Sequence, residues 1–372
     1  MSVLVINCGS TSIKAAIIDP ADGRRIDSLK VERIHNNHGD ALREALPSLL
    51  AQSDDVQSVG HRVVHGGQWF TEPTLVDDAV FERLQRTVPL APLHNPASLA
   101  GIEAARQLVN DKPHVAVFDT AFHATLPRRA VSYALPYELA EQHHLRRYGF
   151  HGTSHQFVAR TAAKFLGDEL RNLRVITCHL GGGCSVCAVE YGRSIETSMG
   201  TTPLEGLVMA TRSGDVDAGA VLHLMREESL SIEEVDDLLN RQSGLRGLTG
   251  GVSDFRDIEQ QAEEGDDRCR LAIQVFCHRL RKYIGAYAAV MGGVDAIVFT
   301  AGIGQNSATV RHRVCQRLDF LGARLDEYAN REATVSREQP TAEISAPYSR
   351  VKLLAIATDE AWEIARASQQ VA

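Results

Sequence analysis

Two stretches of the chain repeat one arrangement of apolar and polar positions. Val3 to Ile18 reads V-L-V-I-N-C-G-S-T-S-I-K-A-A-I-I, and Arg174 to Val189 reads R-V-I-T-C-H-L-G-G-G-C-S-V-C-A-V. Each is a β-rich apolar run, a polar residue, a turn of Gly or Ser and a second alternating run, the pattern of a strand-turn-strand hairpin. Two such hairpins predict a duplicated fold. Helical spacing of apolar positions predicts helices over 97–109, 154–165, 218–225, 231–239 and 268–291, with a terminal one over 359–367. Strand-like runs at 56–64, 115–118, 296–300 and 351–356 complete an α/β architecture with partly parallel sheets. The 372 residues exceed the roughly 250 to 300 at which a single core stops growing. Two domains with a cleft between them are therefore expected. No Pro-, Gly- or Ser-rich linker places the hinge.

Composition narrows the function by exclusion. Lys and Arg total 39 against 47 Asp and Glu, a net charge of -8, with no block of like charges, so nothing favours nucleic acid or an anionic membrane. The first seven residues read as a strand and not as a signal peptide. No apolar run approaches the roughly 20 residues that span a bilayer. Seven cysteines scattered through the chain argue against a disulfide framework and for a reducing, cytoplasmic compartment. Cys184 and Cys187 form a lone C-x-x-C, read either as a metal or redox pair or, in a strand leaving a glycine loop, as buried strand thiols.

Candidate chemistry gathers at the turns. Asn7-Cys8-Gly9-Ser10-Thr11-Ser12-Ile13-Lys14 combines small residues, hydroxyls and a cation, which suits a phosphate and equally suits a plain hairpin. His179-Leu180-Gly181-Gly182-Gly183 sets three glycines beside a histidine, and the cost of their freedom is offset by close approach to a ligand or by a bulge. A third turn, Gly302-Ile303-Gly304-Gln305-Asn306, follows a strand-like run and precedes a helical one, as a nucleotide site or a simple connector would. Arg62 interrupts an alternating strand, where a half-buried charge needs a partner or a ligand. Together with His151 and Arg212 it offers the donors that a phosphoryl transition state requires. Asp119 ends a strand, a common position for a catalytic or metal-binding acid. Glu360 opens the last helix, where it either holds a metal or complements the helix dipole.

These strings together resemble the acetate kinase family. N-C-G-S-T-S-I-K, H-R-V-V-H-G-G, P-L-H-N-P, F-D-T-A-F-H, R-R-Y-G-F-H-G-T-S-H, P-L-E-G-L, T-R-S-G-D, S-D-F-R-D and A-G-I-G-x-N-S occur in the family's order across nearly the whole chain. The resemblance implies a duplicated actin-like fold of the sugar kinase and heat-shock ATPase type. Its first domain would be residues 1–122 plus 363–372 and its second 123–362, with ATP and the acid in the interdomain cleft of a homodimer. It also implies reversible transfer of the ATP γ-phosphoryl group to acetate, with Mg2+, or Mn2+ in its place. By position, Asn7 and Glu360 match the metal-linked residues, while Lys14, Ser10 and Ser12 match the ATP-phosphate turn. Arg62 matches the substrate-binding arginine, Asp119 the essential acid, and His151 and Arg212 the groups that stabilise the transition state. His179 to Gly183, Asp254-Phe255-Arg256 and Gly302 to Asn306 match nucleotide-binding segments. Val64, Leu93, Phe150 and Pro203 match the wall around the acid's alkyl group.

Three departures from the family pattern bear on specificity. Gly182 stands in place of Asn, Gln305 in place of Glu, and Thr201 in place of an aromatic residue. Propionate or butyrate kinase, a pyrophosphate-dependent relative and a non-catalytic nucleotide or acid sensor on the same scaffold are the alternatives.

Overall fold

The computed structural model describes residues 1–372 apart from Ser10, His35, Asn36, Asp54 and Leu93. The chain divides into two compact units. The first comprises Met1–Ala124, Phe150–Phe157 and Asp359–Ala372, and the second Thr125–Gly149 and Val158–Thr358.

The first unit is built on a six-stranded sheet of β1 (Ser2–Cys8), β2 (Ser12–Ile18), β3 (Arg25–Glu32), β4 (Val56–Val63), β5 (Thr74–Leu75) and β6 (His114–Phe118), ordered β3-β2-β1-β4-β6-β5 over the described residues. β1 runs antiparallel to β2 and parallel to β4, which runs parallel to β6. The predicted first hairpin is thus present, closed by the Gly9 N–H donating to the Ser12 carbonyl at 2.8 Å.

Alternation along β1 explains its unbroken apolar sequence, because both faces are covered. Leu4 and Ile6 pack with Leu42, Leu46, Ala104 and Ala105 from the helices His38–Leu50 and Asn95–Leu108. Val3 and Val5 pack with Ile364 and Ala365 of the terminal helix Glu360–Val371. Each of the Val, Leu and Ile side chains among them, fully buried, stabilises the fold by about 1.5–3 kcal/mol. Gly60 lets that terminal helix come close, since a Cβ there would collide with Ser368 and Ile364. Gly60 lies two residues along β4 from Arg62, and the helix it admits begins at Glu360.

The second unit repeats the plan with β7 (Arg174–Leu180), β8 (Cys184–Glu190), β9 (Arg193–Thr197), β10 (Ala296–Thr300), β11 (Thr341–Glu343) and β12 (Lys352–Ile356). Their spatial order, β11-β12-β10-β7-β8-β9, is that of the first sheet once β7 to β12 are matched with β1 to β6. The pairings repeat as well, antiparallel for the hairpin and parallel for β7-β10-β12. The duplication predicted from the two hairpins therefore extends to all six strands. The helix Asp267–Met291 covers this sheet with Ile273, Phe276, Leu280, Ile284 and Tyr287 buried. Its start is capped by the Asp266 carboxylate, which accepts from the Cys269 N–H, and Gly292 ends it in the left-handed conformation.

Observed boundaries lie close to the predicted ones, except that the helix expected over 231–239 narrows to Ile232–Asp237 and continues as a π-type turn, Leu238–Gln242. Among the described residues no helix is long and apolar enough to cross a membrane.

Candidate active site

Parallel neighbours end at the same edge of a sheet, so the last residues of β1, β4 and β6 are gathered there by topology alone. In the first unit these are Asn7, Arg62 and, one residue past β6, Asp119. The Arg62 guanidinium donates from Nη2 to Asp119 Oδ2 at 2.6 Å and from Nε to Oδ1 at 3.1 Å, a two-pronged ion pair. Its Nη1 donates to Asn7 Oδ1 at 3.3 Å, and Glu360 Oε2 lies 3.8 Å from Nε. The Asp119 side chain is 1% exposed and that of Arg62 18%. Burial alone would favour loss of the Arg62 proton; the charges of Asp119 and Glu360 outweigh it and hold the guanidinium more firmly ionised than usual. Of the two expectations for Arg62, a partner or a ligand, the structure supplies the partner.

A further segment of this unit reaches the same residue, through the main-chain carbonyl and the carboxylate in turn. The helix Gly152–Leu166 begins beside Asp119: Gly152 N–H donates to the Asp119 carbonyl at 2.9 Å, and Thr153 Oγ1 lies 3.4 Å from Asp119 Oδ1. A Cβ at position 152 would run into that carbonyl. His151, just before, has φ +57°, a backbone conformation that costs a non-glycine residue roughly 1–3 kcal/mol and that clusters at functional sites. Gly152 and Thr153 are the residues that motif reading passes over. Their only signal is their position inside the F-H-G-T-S-H string.

Phe150 is buried and meets His65 edge-on at 5.3 Å, and Val64 beside His65 is buried too. Lys14 is exposed on β2, directly opposite Asn7 in the hairpin register. Ser12 is half-buried at the start of β2. Ser10 and Leu93 lie outside the described residues.

The second unit gathers the other candidates. His179 lies opposite Thr300 across β7 and β10, so the turns that follow both strands sit together. A Cβ built on Gly181 would touch Ala301. The Gly182 carbonyl accepts from Ala210 N–H at 3.1 Å, which ties this turn to the Arg212 loop. Gly182 itself is exposed with no neighbour near a would-be Cβ and no positive φ, so neither space nor backbone requires glycine there.

Arg212 donates through Nη1 to the Pro203 carbonyl at 2.8 Å. Among the described residues no carboxylate comes within ion-pair distance of it. Burial lowers its affinity for its proton, opposed only by Cys184. A cation in such surroundings is suited to an anionic ligand. Pro203, expected in an apolar wall, thus also fixes the arginine. Thr201, the departure beside it, donates to the Arg146 carbonyl at 2.8 Å.

Asp254 caps the helix Phe255–Glu264 and pairs twice with the exposed Arg256, whose hydrogen bonds pull the carboxyl down to about 2. Phe255 turns inward, 5.3 Å from the Phe276 ring, and Leu180 is fully buried, so both shape their segments from the core side. Glu259 of the same helix accepts from Ser307 Oγ at 2.7 Å, just past the turn that contains Gly302, Ile303, Gly304, Gln305 and Asn306. Gly302 and Asn306 are exposed, and Asn306 Nδ2 donates back to the Gly302 carbonyl at 2.8 Å.

Cys184 and Cys187 lie three apart on β8 and therefore face opposite sides of the sheet. Both are buried, and burial pushes both thiols up to about 12, so the strand-thiol reading describes them.

Comparison with known proteins bears on these two groups of residues. The sequence profile of the Acetokinase family matches residues 32–366. An acetate kinase of Acetivibrio thermocellus is 45% identical over 395 aligned positions, covering 98% of each chain. One of Thermotoga maritima is 47% identical over 100% of this chain and 98% of its own. Among solved structures, the acetate kinase of Porphyromonas gingivalis superposes with a TM-score of 0.91 at 37% identity, over 100% of this chain and 99% of the other. A propionate kinase of Francisella tularensis gives 0.91 at 38% identity over the full length of both.

Proposed function

Because the chain belongs to the acetokinase family, we propose that it transfers the terminal phosphoryl group of ATP to acetate, reversibly giving acetyl phosphate and ADP. A carboxylate oxygen forms the new bond to the γ-phosphorus as the bond to the β–γ bridging oxygen breaks, and ADP leaves with that electron pair. The acid is already ionised at neutral pH, so no general base is required.

Asp119 supports this reading through what it holds. Both its carboxylate oxygens engage Arg62, so its role is to orient the guanidinium and not to take a proton. A guanidinium has five N–H donors; three serve Asp119 and Asn7. Two remain to receive the acid's carboxylate, and this is the observation that carries the proposal. Val64 and Phe150 supply apolar surface for the methyl group. In the second unit, Arg212 donates to charge on the transferring phosphoryl group, while the turns at 179–183, 254–256 and 302–306 hold the nucleotide. His151 is assigned the same charge-stabilising role in the first unit, where Lys14 and Ser12 approach phosphate.

Asn7 and Glu360 offer hard oxygen donors 3.3 and 3.8 Å from Arg62 nitrogens. The set is too small for a protein cage but suits Mg2+, which keeps waters and phosphate oxygens and takes only one or two protein ligands. Bound there, the ion would neutralise phosphate charge. A cytoplasmic location accords with seven free, buried thiols. A homodimer accords with the helix Ala218–Glu227, which exposes Leu222 and Leu224.

Trapping acyl phosphate with hydroxylamine, with acetate, propionate or butyrate and with ATP or pyrophosphate as donor, tests the proposal. Acetyl hydroxamate formed with ATP is expected, and its absence with every pairing would end the kinase reading. Propionate is the second substrate to try, because the propionate kinase superposes as well as the acetate kinase does. One methylene is worth only about 1–3 kcal/mol in such a pocket.

A further inference from the structure

Arg311 is the largest side chain in the molecule to be fully buried, 1% exposed among the described residues. It lies on the helix Ala308–Cys315 and has no carboxylate within ion-pair distance among the described residues. Burial pushes its guanidinium down to about 10. Glu259 attracts it only from beyond ion-pair distance, and a buried cation without an adjacent counter-ion is expensive and persists only where fixed dipoles replace water. Here the dipoles are four oxygens. Nη1 donates to the carbonyls of Gly304, at 3.0 Å, and Gln305, at 2.6 Å. Nε donates to Asn330 Oδ1 at 2.7 Å and Nη2 to the Asn330 carbonyl at 2.8 Å.

Gly304 and Gln305 belong to the turn of helix Ala301–Asn306, whose last carbonyls lack donors of their own. The turn starts at Ala301 with φ +61° and contains Gly302, around which a Cβ would meet nothing within 4 Å. Such a segment, strained at one end and open on one side, does not hold a single geometry unaided. Arg311 supplies the constraint from beneath, and Asn330 locks Arg311 by also donating to the Ala308 carbonyl at 2.9 Å.

We propose that Arg311, held by Asn330, is the positioning residue of the nucleotide-binding turn, presenting Gly302 to Asn306 in the geometry that ATP requires. This rests on the assignment of that turn to ATP under the proposed function. Arg311 touches the turn's backbone and not the nucleotide, so its effect is confined to the ATP side of the reaction.

The test is direct binding of Mg-ATP by isothermal titration calorimetry, alongside KM for acetate in the hydroxamate assay, on folded variants checked by circular dichroism. Arg311→Lys, which keeps charge but loses the fork, is expected to raise Kd for ATP about tenfold while KM for acetate stays within twofold. Asn330→Ala, which leaves the bonds to Gly304 and Gln305 in place, is expected to raise Kd about threefold, and it carries the test if Arg311→Lys is insoluble. Asn330→Asp, which retains the Oδ1 acceptor, is expected to restore Kd to within twofold of the parent. Kd unchanged in the folded variants, or ATP and acetate weakened equally, overturns the inference. A parent protein that binds ATP but makes no acyl hydroxamate refutes acetate transfer and leaves the Kd comparison decisive for Arg311. A parent that binds no ATP refutes both.

Discussion

In the first unit the ends of three parallel strands carry Asn7, Arg62 and Asp119; the strand registers place His179, Thr300 and Thr358 at the equivalent positions of the second. One strand order thus carries an arginine–carboxylate cluster in one copy and a histidine, two threonines and glycine turns in the other. The two arginines differ in the same way. Arg62 is matched by a buried carboxylate, whereas Arg212 is met by the Pro203 carbonyl. Pre-paired charge orients a guanidinium for a small carboxylate, and unmatched charge beside open backbone turns suits a polyphosphate.

The largest expected effect comes from breaking the paired side of that comparison. Asp119→Asn removes the nearer, two-pronged counter-ion of Arg62 and leaves only Glu360 at 3.8 Å, which should lower unfolding free energy by about 3 kcal/mol and turnover at least roughly a hundredfold. Urea denaturation and the hydroxamate assay read the two effects, and a variant of unchanged stability would show that the pair does not anchor the sheet edge.

Arg212→Ala should separate function from stability. Turnover should fall roughly a hundred- to a thousandfold, while unfolding free energy moves by less than about 1 kcal/mol, because the lost hydrogen bond is offset by relief from burying an unmatched cation. Near-normal turnover would remove Arg212 from the site.

The last contrast, which leaves turnover aside, is between the buried titratable groups of the two units. In the first, burial lowers His61, His114 and His123, the last to about 4, with the Phe150 carbonyl opposing. A histidine depressed in the folded state takes up its proton on unfolding, so stability is complete above pH 6.5 and declines as pH falls toward 4. For His123 the decline is on the order of 3 kcal/mol. In the second unit the thiols of Cys178, Cys184, Cys187 and Cys315 are raised by burial and stay protonated throughout that range. Thermal unfolding from pH 7 to 4 should therefore weaken in wild type and weaken less in His123→Gln; equal slopes would dissociate His123 from the acid sensitivity.

Much of the fold is legible in the chain because both faces of the central strands are covered, which writes them as continuous apolar runs. The edge strand β3 is not, since its half-buried face mixes Arg25 and Asp27 with Leu29 and Val31 while Ile26 is exposed, a pattern that resembles a loop. Pro47 near the end of helix His38–Leu50 likewise interrupts a pattern whose buried face is Leu42, Leu46 and Leu49. At the site, motif strings name Arg62, Asp119 and His151, but not that Asp119 pairs with Arg62 through both oxygens, nor that Gly152 is needed for the helix to touch the Asp119 carbonyl.

Local sequence by itself determined the two hairpins, the glycine turns, the terminal helix and the family's motif strings, because each is a matter of neighbouring residues and their periodicity. Only the tertiary structure decided which charges meet. Arg62 finds Asp119 across 57 positions and Arg311 finds Asn330 across 19, and such pairings depend on strand order and helix packing, which no short stretch of chain encodes.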